Sequence, residues 1–244
     1  MIQPHLVLVP GLWVGDFAWD KLIPLLEAQG FQISVAKLVS TGVPSVPPPG
    51  KSLCMRDDEA AIRAVIEPLV ESGKEVLVVA HSAGGYLGSG SVEGLCKPKR
   101  QALGKAGGVV AFAFLCAGLA PAGYQHVPER PFADYQGEKL LCVNPRKLLF
   151  NDFSDADAKM YMDKLEIQTA NNYVREQIYA GFSEVPSTYL VTEADEMLPV
   201  ELQEQFAGMA GSRIITCNSG HMVPLKDPEV CVKAINETIA TYLS

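Results

Sequence analysis

One short segment constrains the fold of this chain more than any other. Residues 75–80 form a nearly continuous apolar run, which is typical of a strand covered on both faces of a sheet. The run leads into Ala-His-Ser-Ala-Gly at 80–84, and a helix-forming segment follows. A small-x-Ser-x-Gly pattern between a strand and a helix is typical of a nucleophile elbow. The turn is so tight that the positions two residues from Ser82 must be small; Ala80 stands where glycine is usual. A plain Ser-Gly turn without a catalytic role is the alternative.

Strand and helix patterns alternate along most of the chain, which predicts an α/β fold with a mostly parallel sheet. Apolar runs predict strands at 6–9, 32–36, 75–80, 107–116, 187–191 and 213–216. Helical spacing of apolar residues predicts helices over about 19–29, 57–72, 199–210 and from 227 onward. The proline-rich segment 43–50 predicts a loop.

The interval 118–182 breaks this alternation. It contains loops rich in proline and glycine and a helix after Ser154. We therefore predict a core formed by 1–117 and 183–244, with 118–182 inserted into it as a helical cap.

An elbow serine requires a general base, and few histidines are available for that role. The order Ser, acid, His is expected in this architecture. His221 lies after the last predicted strand and before the last helix, where the carboxyl edge of the sheet would present it. We predict that His221 is the base; a solvated loop histidine is the alternative.

The acid is expected after the preceding strand. Residues 189–199 offer three carboxylates, Glu193, Asp195 and Glu196, and at least two of them must simply be solvated. The acid would hold the base in one tautomer and stabilise its imidazolium form.

An oxyanion hole requires two main-chain N–H groups. The residue after the nucleophile, Ala83, is expected to supply one. The other is expected from the loop after the first strand, where Gly11 allows a close turn and Leu12 is our choice of donor.

The remaining histidines and aromatic residues have weaker signals. His81 occupies the x position of the elbow and is predicted to pack away from Ser82, and His5 has no functional signal. His126 lies in the insertion, where a solvated role is more frequent than substrate contact. The expected lining of an apolar substrate pocket is Trp13, Phe17, Tyr86, His126 and Met222.

Composition excludes several classes of protein. The chain has 244 residues, 48% of them hydrophobic, and a net charge of −8, which argues against nucleic-acid binding. Its six cysteines form no C-x-x-C pair and are predicted to be reduced thiols. No apolar run reaches the roughly 18–20 residues that cross a bilayer, and the start of the chain lacks a secretory signal pattern. We expect a soluble, cytoplasmic protein without membrane contact, metal or organic cofactor; a homodimer remains open.

Five motifs in order resemble the α/β-hydrolase superfamily, over nearly the whole chain. Within it, the chain is similar to small single-domain esterases related to plant methyl-ester esterases and hydroxynitrile lyases, with fungal and bacterial relatives. The motifs are Leu8-Val9-Pro10-Gly11 with Trp19, residues 80–85, Asn151-Asp152-Phe153-Ser154, Thr192-Glu193-Ala194-Asp195 with Leu198-Pro199, and Ser219-Gly220-His221. The resemblance implies a triad of Ser82, His221 and Asp195 and a cap at 118–182.

The chain departs from the family in details that bear on the reaction. Pro10 stands where most members have histidine. Hydroxynitrile lyases carry threonine and lysine at the positions of Gly11 and Met222, so the lyase reaction is disfavoured. Epoxide hydrolases carry aspartate in place of Ser82.

Three functions are compatible with these motifs. The favoured one is a serine hydrolase that cleaves a carboxylic ester or lactone of a small, largely apolar molecule through an acyl-enzyme. The second uses the same triad for C–C cleavage, acyl transfer or cyclisation of a natural-product intermediate. The third is a non-catalytic ligand-binding protein on the same scaffold.

Overall fold

The computed structural model describes residues 3–42, 53–127, 131–137, 139–169 and 176–243. The predicted loop at 43–50 lies outside these ranges. The strands are β1 His5–Val9, β2 Ile33–Val35, β3 Glu75–His81, β4 Gly108–Leu115, β5 Ala133–Gln136, β6 Lys139–Cys142, β7 Gln168–Thr169, β8 Ser187–Thr192 and β9 Arg213–Cys217. The helices are α1 Leu22–Ala28, α2 Met55–Glu71, α3 Gly84–Gly90, α4 Lys97–Ala102, α5 Pro145–Leu148, α6 Asp155–Met162, α7 Val200–Ala210, α8 Val223–Lys226 and α9 Pro228–Tyr242. Short 3-10 turns lie at Asp16–Trp19 and Gly181–Ser183.

A six-stranded parallel sheet forms the centre of the molecule, in the order β2-β1-β3-β4-β8-β9. β4 and β8 are buried along their whole length, and β3 is buried after its first residue, because helices cover both faces. The six strands predicted from apolar runs are these six, with ends shifted by at most one residue. The predicted α/β fold is therefore confirmed.

The segment 118–182, here called the insertion segment, follows β4 and precedes β8. It contains the predicted helix after Ser154, which is α6. It also contains an antiparallel sheet, β5-β6-β7, that the sequence did not predict. Its strands are two to four residues long, so they are too short to show a period-2 pattern.

The strand order places four loops at one edge of the sheet. β1 and β3 are neighbours, while the chain leaves β1 toward β2 on the other side, so the loops after β1 and β3 diverge. Ligands of open parallel sheets bind in the crevice at such a switch point. The loops after β8 and β9 reach the same edge because all six strands run in parallel.

No helix in the described ranges is both long enough and apolar enough to cross a bilayer. All six cysteines are free thiols.

Candidate active site

The turn between β3 and α3 has the geometry of a nucleophile elbow. Ser82 has a φ of 53°, in the left-handed region, which costs a non-glycine residue about 1–2 kcal/mol. Its N–H bonds the carbonyl of Leu115 at 3.3 Å, and its own carbonyl accepts N–H groups from Gly85 and Gly118 at 3.0 and 2.9 Å. These three bonds hold the strained turn in place.

Two glycines allow this turn to lie directly against the loop after β1. A Cβ atom on Gly84 would overlap the main-chain oxygen of Val9 and lie 2.7 Å from that of Pro10. A Cβ atom on Gly11 would lie 2.7 Å from the Cβ of Ser82. The small-residue requirement inferred from the sequence therefore has a visible cause at Gly84, and Gly11 brings the two loops into contact.

A hydrogen-bonded chain joins the three residues predicted as the triad. The Nε2 of His221 lies 2.9 Å from the Oγ of Ser82, and its Nδ1 lies 2.8 Å from the Oδ2 of Asp195. His221 and Asp195 are buried, and Ser82 faces a cavity. Because a carboxylate only accepts, Nδ1 carries the proton and Nε2 is left as an acceptor for the serine hydroxyl.

Asp195 is fully supplied with donors. Its Oδ1 accepts the main-chain N–H groups of Met197 and Leu198 at 2.7 and 2.9 Å, and the hydroxyl of Thr192 reaches Oδ2 at 3.1 Å. Burial alone would raise the pKa of this carboxyl. The neighbouring His221 and the N–H donors outweigh burial and hold the pKa below its usual value. Glu193 and Glu196 stay on the surface, so Asp195 is the carboxylate that the fold brings to His221.

The main-chain carbonyl of His221 is also held by two side chains. It accepts a hydrogen bond from the Nε2 of His81 at 2.8 Å and from the thiol of Cys116 at 3.2 Å. Burial, and then the nearby His221, lower the pKa of His81 to about 3, so His81 is neutral at neutral pH. His81 therefore packs away from Ser82, as the sequence predicts, and also fixes the backbone at His221. Within the described residues, His81, Cys116 and His221 form the one cluster of His, Cys, Asp or Glu side chains that is close enough to hold a metal ion. Two of these side chains, those of His81 and Cys116, already form hydrogen bonds with the carbonyl of His221.

The two residues predicted to supply the oxyanion donors lie at the cavity that Ser82 faces. Leu12 and Ala83 line the same cavity as Ser82. Among the described residues, no main-chain carbonyl accepts either N–H group. Preorganised donors of this kind stabilise a developing negative charge on a carbonyl oxygen.

The insertion segment forms hydrogen bonds with the loop that contains Leu12. The next residue, Trp13, has a φ of 65°, a strained value for a residue with a side chain. Its N–H donates to the side-chain oxygen of Gln168 at 3.3 Å, and its carbonyl accepts the N–H of Glu166 at 2.8 Å. Its indole donates to the carbonyl of Leu140 at 2.9 Å. Three contacts from one segment thus fix the peptide that follows Leu12.

The same segment holds the loops that carry the acid and the base. The amide of Asn151 donates to the carbonyl of Ala194 at 2.8 Å, one residue before Asp195. The N–H of Gly220, one residue before His221, donates to Asp152 at 2.7 Å. The Asn151-Asp152 motif, which the sequence shows only as a resemblance, therefore forms hydrogen bonds with the loops that contain Asp195 and His221.

A cavity of about 400 Å³ opens at Ser82. Trp13, Tyr86 and His126, three of the expected pocket residues, line it. The rest of the lining is mostly apolar: Leu12, Ala83, Gly118, Leu119, Pro121, Tyr124, Val127, Phe132, Met197, Leu198, Leu202, Phe206 and Met209. No Lys, Arg, Asp or Glu is among these residues.

Two expected pocket residues lie elsewhere, and those expectations are wrong. Phe17 belongs to the 3-10 turn after β1, and its ring stacks on Tyr161 of α6 at 6.1 Å. Met222 follows His221 in sequence, but the start of α8 turns its side chain into the core, where it is fully buried. Phe17 and Met222 lie close in sequence to predicted site residues, but proximity in sequence does not determine the direction of a side chain.

His126 is not a solvated loop residue. It is buried between the rings of Tyr86 and Tyr124, with centroids 4.7 and 5.0 Å away. Its Nε2 lies 3.2 Å from the side-chain oxygen of Gln177, whose amide nitrogen donates to the carbonyls of Tyr86 and Tyr179. This orientation of the amide makes Nε2 of His126 the donor.

One wall of the cavity was missed by the sequence analysis. Leu202, Phe206 and Met209 come from α7, which was predicted only as a helix. Their spacing of four and three residues was a usable signal, since it places them on one face of the helix.

Comparisons with known proteins agree with this architecture. Residues 6–234 match the family model described as the alpha/beta hydrolase family. Alpha/beta hydrolase nvfD of Aspergillus novofumigatus is 28% identical over 247 residues, covering 96% of each chain. Methylesterase 8 of Arabidopsis thaliana is 32% identical over 85 residues, 35% of this chain and 30% of that protein.

Solved structures of low sequence identity share the fold. The methylesterase MES16 from Arabidopsis has a TM-score of 0.76 at 19% identity, covering 97% of this chain and 99% of that one. Polyneuridine aldehyde esterase has a TM-score of 0.71 at 19% identity, with the same coverage. With the family match over nearly the whole length and the elbow, loop order and sheet described above, this chain belongs to the alpha/beta hydrolase family.

Proposed function

We propose that this protein is a serine hydrolase that cleaves a carboxylic ester or lactone of a small, largely apolar molecule. The observation that carries the proposal is the hydrogen-bonded chain from Ser82 through His221 to the buried Asp195, at 2.9 and 2.8 Å. A serine whose hydroxyl meets a neutral imidazole nitrogen, itself oriented by a carboxylate, is an activated nucleophile.

The mechanism follows from the positions of these groups. Oγ of Ser82 attacks the carbonyl carbon while Nε2 of His221 takes the hydroxyl proton. The N–H groups of Leu12 and Ala83 hold the oxygen that becomes negative. His221 then gives its proton to the leaving alcohol oxygen, and an acyl-enzyme remains. Water, activated by His221, releases the acid and restores Ser82.

Asp195 stabilises the imidazolium that forms twice in this cycle. It remains ionised throughout, because its pKa is held low by His221 and by the two N–H donors that follow it. His81 remains neutral beside the imidazolium, because a second positive charge in this buried site would be unfavourable. The cycle uses only protein groups and water.

We further propose that the insertion segment acts as a cap that sets specificity. It supplies Pro121, Tyr124, His126, Val127 and Phe132 to the cavity, while 1–117 and 183–244 form the catalytic core. Esterase names among the similar proteins support an ester substrate. The uncharged lining supports a neutral one.

Steady-state hydrolysis of p-nitrophenyl butyrate tests the proposal. Ser82→Ala and His221→Ala are expected to lower kcat by about 10⁴-fold or more, because each removes a member of the nucleophilic unit. Ser72→Ala, at an exposed serine that ends α2, is the matched control and should retain full activity.

The outcomes separate the alternatives. Turnover that survives in Ser82→Ala contradicts the proposal. If a fluorophosphonate probe labels Ser82 of the wild-type protein but the protein turns over no ester, the result points instead to C–C cleavage, acyl transfer or cyclisation. A protein that does neither points to a ligand-binding role.

A further inference from the structure

Helix α7 has two different buried faces. Gln203 and Ala207 are fully buried and face the sheet, where Gln203 bonds the backbone of Thr192. On a neighbouring face, Leu202 and Phe206 are half-buried and line the cavity that opens at Ser82. Met209 continues this face. The apolar face 202/206/209, here called the α7 stripe, therefore forms one wall of the cavity.

The α7 stripe leads away from the catalytic residues. At its inner end, Leu198 lines the cavity and donates its N–H to Asp195 at 2.9 Å. At its outer end, the side chain of Met209 is 44% exposed. Seven residues separate Leu202 from Met209, which is about 10 Å along a helix. The cavity thus extends along α7 as far as the exposed side chain of Met209.

The opposite wall and the mouth are apolar as well. Pro121, Tyr124 and Val127 of the insertion segment line the cavity, with Tyr124 45% and Val127 52% exposed. The charged residues nearest in sequence on α7, Glu201 and Glu204, are exposed, and so is the uncharged Gln205. A chain lying along the α7 stripe therefore meets no charge until it reaches solvent.

We propose that the substrate carries an extended, uncharged hydrocarbon chain that lies along the α7 stripe and leaves the protein at Met209, with its reacting carbonyl at Ser82. This inference rests on the hydrolase function proposed above. An extended chain advances about 3.5 Å for every three bonds, so the stretch of about 10 Å from Leu202 to Met209 alone takes up about eight or nine carbon atoms. Longer chains would project into solvent past Tyr124, Val127 and Met209.

A series of p-nitrophenyl alkanoates of increasing length tests the proposal. Each methylene buried along the stripe is expected to raise kcat/KM about fourfold, until the chain passes Met209, after which kcat/KM should level off. A parallel series of alkyl acetates places the chain on the alcohol side instead. The series that shows the rise identifies the half of the ester that occupies the stripe.

A terminal carboxylate provides a sharper test than length alone. On a chain of about six carbons, the carboxylate would lie inside the apolar cavity and should abolish the gain in kcat/KM that the added methylenes provide. On a chain of about twelve carbons, the charge would reach solvent, and kcat/KM should return close to that of the uncharged ester. A penalty independent of length would contradict the proposal.

Two adjacent substitutions on α7 provide a matched pair. Phe206→Lys places a charge on the stripe and is expected to lower the ratio of octanoate to acetate kcat/KM about tenfold or more. Gln205→Lys places the same charge on the exposed face and should leave that ratio unchanged. Met209→Lys, at an exposed position that tolerates a charge, should raise turnover of the twelve-carbon carboxylated ester two- to fivefold.

The results distinguish this inference from the proposed function. A kcat/KM that does not change with chain length in either series, and that is lost in Ser82→Ala, would overturn the stripe and leave the hydrolase standing. Absence of Ser82-dependent turnover of any ester would overturn both. If Phe206→Lys does not fold, the carboxylate series and Met209→Lys still decide the question.

Discussion

At the scale of single residues, the site depends on groups that can each adopt only one role. Asp195 can only accept, so the proton of His221 is fixed on Nδ1 and Nε2 faces Ser82. His81 can only donate to the carbonyl of His221. Hydrogen bonds to the ring of His221 and to its main-chain carbonyl thus determine the orientation of the imidazole.

The proposed role of Asp195 in orienting His221 can be tested by replacing one carboxylate oxygen with an amide nitrogen. Asp195→Asn is expected to lower kcat by about 10³–10⁴-fold, because its amide donates a hydrogen bond and favours the wrong tautomer of His221. Glu196→Gln, the same change at the exposed neighbour, should leave kcat unchanged. Equal losses in the two variants, or none, would contradict the role of Asp195.

A second residue-scale prediction concerns the pH dependence of stability. His81 has a pKa of about 3 in the folded protein and about 6.5 when unfolded. Between these values the unfolded chain binds one more proton, so the free energy of unfolding rises with pH by up to about 1.4 kcal/mol per unit. This stability is complete above about pH 6.5 and is lost as pH falls toward 3.

Urea unfolding between about pH 4 and pH 6 measures this slope. His81→Gln retains a side-chain N–H for the carbonyl of His221 but does not titrate, so its slope should be smaller by nearly one proton. Asp195 has a lowered pKa and contributes in the same direction, but only as pH falls below its unfolded value near 3.9. Identical slopes in wild type and His81→Gln would contradict the buried, neutral His81.

At the scale of elements, the sequence predicts what is locally periodic and misses what depends on distant partners. The long buried strands β3 and β4 are visible as apolar runs. β7 is two residues long and exists because Gln168 and Thr169 pair with β6, across a turn and two helices. Ser82 and His221 are predictable because a strand-turn-helix motif and chain order locate them, while Asp195 is selected among three carboxylates only by the resemblance to the family. The directions of the Phe17 and Met222 side chains depend on tertiary packing and are not predictable in this way.

The insertion segment acts on the site through named hydrogen bonds. Gln168 accepts the N–H of Trp13, so Gln168→Ala should allow the strained peptide after Leu12 to relax. We expect kcat to fall about tenfold to 10²-fold with little change in KM, because a misaligned oxyanion donor affects the transition state more than the bound ester.

A matched control exists for this prediction. Thr41 donates its hydroxyl to the same side-chain oxygen of Gln168 at 2.6 Å, whereas the N–H of Trp13 in the loop after β1 depends on Gln168 itself. Thr41→Val should therefore retain kcat while removing a comparable polar contact. A parallel loss of kcat in the two variants, or a change in KM alone, would show that Gln168 only stabilises the fold.

At the scale of the whole molecule, parallel strands gather loops that are far apart in sequence. Leu12, Ser82, Asp195 and His221 follow β1, β3, β8 and β9 at one edge of the sheet. The molecule as a whole is acidic, with a net charge of −8, while the cavity lining is uncharged. The field outside the site therefore repels anions, and the site itself does not attract them.

This contrast predicts a specific salt dependence. Between about 0.01 M and 1 M salt, the Debye screening length falls from about 30 Å to about 3 Å, so charges are screened more strongly. The kcat/KM of a neutral ester should stay constant over this range, and that of an ester carrying a carboxylate should rise about two- to fivefold as repulsion is screened. A rise for both esters, or a fall for the anionic one, would contradict the assignment of a neutral substrate.

The most direct measurement of the central claim is the site and rate of phosphonylation by a fluorophosphonate. The account predicts one label per chain, located by mass spectrometry on the peptide that contains Ser82. Labelling should be absent in Ser82→Ala and slowed by about 10³-fold or more in His221→Ala, because the hydroxyl reacts only when the imidazole takes its proton. A label on another residue, or an undiminished rate in His221→Ala, would contradict the account.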